Sequence, residues 1–292
     1  MSTNIAAAVA RIEQTGTQMR GPTALGTNPR RLLTLAWTLA VTDFRLKFFG
    51  SALGYAWQLV QPLMLFGVLY TVFSLFLDVG ENIKYYPVAL LLGIVLFTFF
   101  NEATSQSVRS LMVRESLVRK VDFPRLAVPL ASVLVALFNL GLNLVPVFVF
   151  LLASGGRPHL GWLMFPFMIA GLAVFALGLG MLLSAMFVRY RDVDPIWTLT
   201  LQVMFYATPI FYPVELLFDK DLVGVAHALM CNPFAMVLQQ ARYWVIDPSH
   251  MSFLEAIGGF PLAIVPPLIV VGTVVVGYRF FSREAPRVAE EL

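Results

Sequence analysis

The sequence predicts an all-α integral membrane protein with six membrane-crossing helices per subunit, and three observations carry that expectation. Hydrophobic residues make up 59% of the 292 and charged residues 13%, against roughly 45–50% and about 25% in a soluble domain. The apolar residues collect into six runs, about 57–77, 87–107, 126–152, 162–187, 196–212 and 261–281. Most of these reach the about 20 residues a helix needs to cross a hydrocarbon core of roughly 30 Å. Finally, the ten-residue alternating segments of a membrane barrel are missing.

Residues 1–29 are polar and small, without the apolar stretch and cleavage-type site of a signal peptide, so they read as a tail and the first span as its own insertion signal. Residues 30–56, within "RRLLTLAWTLAVTDFRLKFFGSALGYAW", are apolar at helical spacing but interrupted by Thr42, Asp43, Arg45 and Lys47. That segment is too charged to cross and predicts an amphipathic helix in the membrane interface, turning at Gly50 and Gly54 into the first span. Between the second and third spans, Arg109, Arg114, Glu115, Arg119, Lys120, Asp122 and Arg125 surround Phe123. Mixed charge around an aromatic residue is the composition of a docking surface, although a plain basic anchor has a similar look. In "FVRYRDVDP" the charges close the fourth span and Pro195 opens the fifth, where a missing N–H costs nothing.

The stretch 213–260 holds apolar runs too short to span, punctuated by Asp219, Asp221, Asn232 and Pro233, which predicts re-entrant helices. Residues 57–281 form the six-span domain and 282–292 a short tail. Topology follows from the 20 Lys and Arg residues. With both termini in the cytoplasm, 16 fall on the cytoplasmic side and only Lys84, Arg157, Lys220 and Arg242 outside, as the positive-inside rule requires. The pI of about 9.1 is then a topology signal, and nucleic-acid binding is not needed to explain it.

Several chemistries lack their residues. No G-x-x-x-x-G-K-[ST] stretch cradles a nucleotide phosphate. Glu102 is the one clear carboxylate within a span, a poor relay by itself, and reads as a helix-end residue reaching the interface. His159, His227 and His250 are scattered, and Asp192 and Asp194 have no His or Cys nearby to complete a metal site. Cys231, the single cysteine, reads as a small apolar filler.

The stretches "TDFRLKFFGSALGYAWQLVQPL" (42–63), "LVRKVDFPRLAVPL" (117–130), "FVRYRDVDPIWTLTLQVMFYATPIFYP" (187–213) and "NPFAMVLQQAR" (232–242) resemble, in order and over most of the chain, the transmembrane subunit of type-2 ABC exporters of polysaccharide: the O-antigen, teichoic-acid and capsule permeases. The resemblance implies a homodimer in the bacterial cytoplasmic membrane with two copies of a separate nucleotide-binding subunit, which binds ATP and Mg, while this chain holds no cofactor. It implies a gate helix carrying Asp43, Arg45 and Lys47, and an ATPase contact through Arg114, Glu115, Arg119, Lys120, Asp122 and Phe123. It implies a lipid-linked polysaccharide as cargo; the preference for arginine, 16 against four lysines, favours a cell-wall galactan, with O-antigen and teichoic-acid polymers open, and the competing readings are a lipid or drug exporter of the same type and a non-transporting membrane scaffold or enzyme.

In that light "FYATPIFYPVE" (205–215) stands out. Pro209 and Pro213 break a helix and free carbonyls that need a wet or protein-lined setting. Phe205, Tyr206, Phe211 and Tyr212 offer flat faces to sugar C–H groups and phenol oxygens to hydroxyls. Trp57, Phe97 and Phe100 are further channel candidates. An interfacial aromatic belt is the competing reading, strongest for Tyr212.

Overall fold

The computed structural model describes residues 29–49, 54–81, 83–114 and 124–284, and among them every regular element is helical. Helix α1 (Pro29–Phe48) is followed by α2 (Ala56–Tyr70), prolonged by a π-helical turn at Thr71–Phe76. Then come α3 (Tyr86–Val113), α4 (Ala127–Ala153), a short 3-10 turn at Leu160–Met164 running into α5 (Phe165–Arg189), and α6 (Val193–Ala207). Five short helices follow: α7 (Glu215–Asp219), α8 (Val223–Met230), α9 (Pro233–Ala241), α10 (Phe253–Ala256) and α11 (Phe260–Ala263). Helix α12 (Val265–Glu284) ends the described chain.

Among the described residues five helices are long and apolar enough to cross a membrane: Ala56–Phe76, Tyr86–Val113, Ala127–Ala153, Leu160–Arg189 and Phe260–Glu284. The fifth predicted run, 196–212, departs from expectation. Its helix α6 has 15 residues, about 22 Å at ~1.5 Å per residue, and stops at Ala207. Its contacts nevertheless follow α3 from end to end. Asp194 pairs with Arg109, the Trp197 Nε1 donates to Thr104 Oγ1 at 3.1 Å, Phe205 lies 5.0 Å from Phe97, and Tyr86 donates to the Phe211 carbonyl. A short helix plus a non-helical segment thus cover the depth that a full helix covers elsewhere.

Helix α3 is the centre of the bundle. In its most apolar stretch 78% of residues are buried, against 6% for Ala56–Phe76 and 11% for Phe260–Glu284. It packs on α4, α5, α2 and α6. Close approach elsewhere depends on small residues, which in lipid replace the missing hydrophobic drive with backbone contact. A Cβ on Gly277 of α12 would lie 2.3 Å from the Gly178 carbonyl oxygen of α5, and one on Gly180 would lie 2.7 Å from Ser107 Oγ of α3.

The predicted amphipathic helix is α1. Leu32, Ala36 and Ala40, each four residues apart, are buried, Leu32 and Ala36 in a cluster with Ala127 and Val128 of α4 and Ala40 in one with Ala131 and Val135, while Leu33 and Trp37 stay exposed.

The re-entrant expectation also matches. Asn232 caps α9 by accepting from the Phe234 N–H at 2.9 Å, with Pro233 at the first helical position. Phe234 touches Phe97 and Phe100, each at 5.5 Å, which lie about 16–21 Å along α3 from its start at ~1.5 Å per residue. The chain then climbs back until Trp162 Nε1 donates to the Val245 carbonyl at 2.9 Å, near the start of α5. Helices α8 and α9 thus form a hairpin that dips to mid-depth.

Candidate functional site

A groove lined by both polar and aromatic side chains runs along α2, α3 and α6. Two adjoining cavities of about 400 and 340 Å³ share Gln61, Thr98 and Asn101. The first continues to Lys47, Trp57, Gln58 and Glu102, the second to Ser105, Thr198, Gln202, Phe205 and Tyr206. The polarity is a matter of helical register. Gln58 and Gln61 on α2, Thr98, Asn101 and Ser105 on α3, and Thr198 and Gln202 on α6 recur at three- and four-residue spacing, so each helix turns its polar stripe to the same side.

The predicted channel aromatics divide by this geometry. Phe205, Tyr206, Phe211 and Tyr212 do form one cluster, with centroids 5.2–6.0 Å apart along the chain of contacts, and Phe97 and Phe73 join it at 5.0 and 4.6 Å. Phe205, Tyr206 and Trp57 line the groove, Tyr206 and Trp57 being 60% and 56% exposed. Phe97 reaches it with its edge, at 6% exposure. Phe100 does not: it is fully enclosed, stacked on Phe175 at 5.5 Å and against Phe234, because its position on α3 faces α5. Phe211 and Tyr212 lie behind the groove and serve as its backing.

The proline break is stitched to protein. Arg242 Nη2 donates to the Ile210 carbonyl at 2.8 Å, Tyr86 Oη to that of Phe211 at 2.5 Å, and Tyr212 Oη to that of Ala207 at 3.0 Å. Pro209 and Pro213 are buried, and three carbonyls around the break are thus bound by side chains from α3, the segment itself and the turn after α9. Arg242 is a residue that sequence reasoning counted only as an external charge. It is buried, and its signal was a lone cation inside the apolar run "AMVLQQARYWVI".

Glu102 also differs from expectation. It is not a helix-end residue but the hub of the groove's charged end. Its Oε1 accepts from Lys47 Nζ at 2.5 Å, Asn139 Nδ2 at 2.5 Å and Gln106 Nε2 at 2.9 Å, with its side chain 12% exposed. Lys47 also donates to Gln58 at 3.1 Å. So helix α1 is held to α2, α3 and α4 by one network. Asp43 pairs with Arg114, joining the same helix to the end of α3, while Arg45 is exposed. Glu115, Arg119, Lys120, Asp122 and Phe123 lie outside the described residues. Asp194 pairs with Arg109 of α3 and Arg189 sits over the Tyr190 ring, so these loop charges are occupied structurally. No group of His, Cys, Asp or Glu among the described residues could hold a metal ion.

At the opposite end of the bundle Lys84 Nζ meets Asp247 Oδ2 at 2.5 Å. Hydrogen bonding with Asp247 raises the Lys84 ammonium. Partial burial pushes the Asp247 carboxyl up, but hydrogen bonds from Lys84 and Ser249 outweigh it and bring the group down to about 2. His250 beside them is buried, and desolvation, followed by the nearby Arg242 charge, lowers its imidazole.

An all-helical membrane bundle with a dipping hairpin and a polar groove on one flank is the architecture of a transport subunit. Residues 34–246 match the family described as "ABC-2 type transporter", and the chain belongs to that family. It is 27% identical over 239 residues to an O-antigen export system permease protein RfbA of Klebsiella pneumoniae, covering 80% of this chain and 90% of that one. A protein of the same name from Myxococcus xanthus is 27% identical over 216 residues, 73% and 80% of the two chains.

Proposed function

We propose that this chain is the permease subunit of an ATP-driven exporter that carries a lipid-linked polysaccharide across the bacterial cytoplasmic membrane. The observation that carries the reading is the groove. Gln61, Asn101 and Gln202 are exposed on it at membrane depth, and polar groups left facing hydrocarbon cost several kcal/mol each. A second copy of the chain closing over the groove removes that cost and makes a path between subunits. Such a path, amide and hydroxyl groups beside aromatic faces, suits a sugar polymer: hydroxyls find partners and C–H faces find rings, with no ionic grip to stop movement.

ATP and Mg belong to a separate nucleotide-binding subunit. The segment 109–125 is the proposed contact with it, and the Asp43 and Arg114 pair leads from there into α1, whose Lys47 meets Glu102 at the groove. Movement at the ATPase thus reaches the groove's charged end through two ion pairs. The cytoplasmic end is the one that collects Arg30, Arg31, Arg109, Arg114, Arg125, Arg189, Arg191, Arg279 and Arg283, in keeping with the positive-inside rule.

A cell-wall galactan is the cargo favoured by the arginine-rich composition, while the relatives' names favour an O-antigen chain. Depleting the protein and extracting lipid-linked polymer from the cell distinguishes them, because the exported polymer accumulates on its carrier. Absence of any accumulated polymer overturns the export reading.

A further inference from the structure

A second, wholly different cavity lies on the other flank of the molecule. It encloses about 610 Å³ between α5, α12 and the hairpin helix α9. Its lining shares no residue with the polar groove. Nearly all of it is apolar, Gln240 being the exception, and the Gln240 Oε1 already accepts from the Phe253 N–H at 3.2 Å. An occupant therefore needs no polar group within the cavity.

Its long axis matches one leaflet. At the deep end stand Phe175 and Pro233, at the level where the hairpin turns; at the shallow end stand Met164 and Trp244, beside the start of α5. The eleven steps from Met164 to Phe175 rise about 16 Å at ~1.5 Å per residue. Half of a hydrocarbon core of roughly 30 Å is about 15 Å. The flanks open to the bilayer, since Phe167 of α5 and Leu268 of α12 expose 72% and 62% of their surface. An apolar cleft of this size left empty forfeits dispersion contacts along all its walls.

We infer that the groove between α5, α9 and α12 is a binding site for one acyl chain of a bilayer glycerophospholipid, inserted behind the re-entrant hairpin. One such chain per subunit fills the space that lets the hairpin stand away from α5 and α12. The headgroup lies outside the cleft, beside Trp244, a residue type that favours the bilayer interface.

Gly171 supplies the test. It lines the cleft, and a Cβ there meets nothing within 4 Å. Gly171→Trp therefore adds bulk at the cleft wall from a Cβ position that no protein atom crowds, and Gly171→Ala is its mild control. Gly272 has equally open space but is not part of the lining, so Gly272→Trp controls for added bulk. The purified assembled protein is released from nanodiscs of palmitoyl-oleoyl phosphatidylglycerol and weighed by native mass spectrometry. The wild type, G171A and G272W should each retain one lipid per chain at collision energies that strip the rest, and G171W none. Equal retention by wild type and G171W overturns the site. So does loss of subunit association in G171W with no change in lipid count, because the cleft is then a protein interface.

Discussion

Glu102 shows how one side chain can set the behaviour of a gate. Three donors converge on its Oε1 from α1, α3 and α4, and hydrogen bonds to a charged group contribute about 1.5–3 kcal/mol each at most. Glu102→Ala leaves Lys47 and Asn139 without that acceptor. We expect it to free α1 and to lower the thermal stability of the solubilised protein by about 1–3 kcal/mol, while Glu102→Gln keeps the amide contacts and loses less. Limited proteolysis near residue 49 reads α1 release directly, and unchanged cleavage in E102A rules out the anchoring role. The aromatic residues separate in the same way. Tyr206 faces the groove, so Tyr206→Leu should cut surface polymer per assembled complex with assembly intact. Tyr212 holds the Ala207 carbonyl, so Tyr212→Phe should cost stability of about 0.5–1.5 kcal/mol and leave export per assembled complex near normal. Reversal of these two outcomes would falsify the assignment of groove and backing.

At the scale of elements, two contacts make strong demands. A Cβ on Gly277 runs into the Gly178 backbone at 2.3 Å, and backbone cannot rotate away as a side chain can. Gly277→Val should therefore push α12 from α5 and destabilise the protein by about 1–3 kcal/mol or more, seen as a lower midpoint in thermal unfolding. Gly272→Val on the same helix, facing open space, should not.

The cap formed by the segment around 247–250 should respond to acid in two stages. His250 has a lowered folded-state pKa, so the unfolded chain binds a proton first and stability falls as pH drops through about 6.5. Asp247 has its pKa lowered from 3.8 to about 2, so its contribution is present above 3.8 and is lost as pH falls towards 2. Amide protection factors of residues 243–256, corrected for the intrinsic pH dependence of exchange, should fall between pH 7.5 and 5.5 and again between pH 4.5 and 2.5, and His250→Gln should flatten the first step.

For the whole molecule, the proposed function requires a second copy to cover the groove. Ile196, Leu199, Val203 and Tyr206 form an exposed stripe along α6 at three- and four-residue spacing, each 60–62% exposed, beside polar residues that hydrocarbon cannot solvate. In a Cys231→Ser background, single cysteines at Leu199 and Val203 should cross-link copies of the chain in native membranes, whereas one at Leu268, on the lipid-facing flank, should not. The reverse pattern places the second copy on the wrong side and removes the proposed path. Charge reversal of Arg119 and Lys120 to Glu should weaken copurification with the nucleotide-binding subunit. Arg114 is a poor choice for that test because Asp43 already holds it.

Much of this protein was determined by its sequence alone. Run length and hydropathy are local properties, and they suffice for five of the six predicted spans, the amphipathic α1 with its Leu32, Ala36 and Ala40 face, and the hairpin capped at Asn232 and Pro233, but not for the early stop of α6 at Ala207. What the runs could not show is orientation. Phe97 and Phe100 are three residues apart on one helix, yet only Phe97 reaches the groove, because α5 occupies the space in front of Phe100. Periodicity gives a face but not its neighbour. The long-range pairs were likewise beyond local reading: Lys47 with Glu102, Asp43 with Arg114, and Arg242 with the Ile210 carbonyl join positions 32 to 71 residues apart. A proline break says that acceptors are freed; only the tertiary arrangement decided that an arginine from the turn after α9 would bind the Ile210 carbonyl beside it.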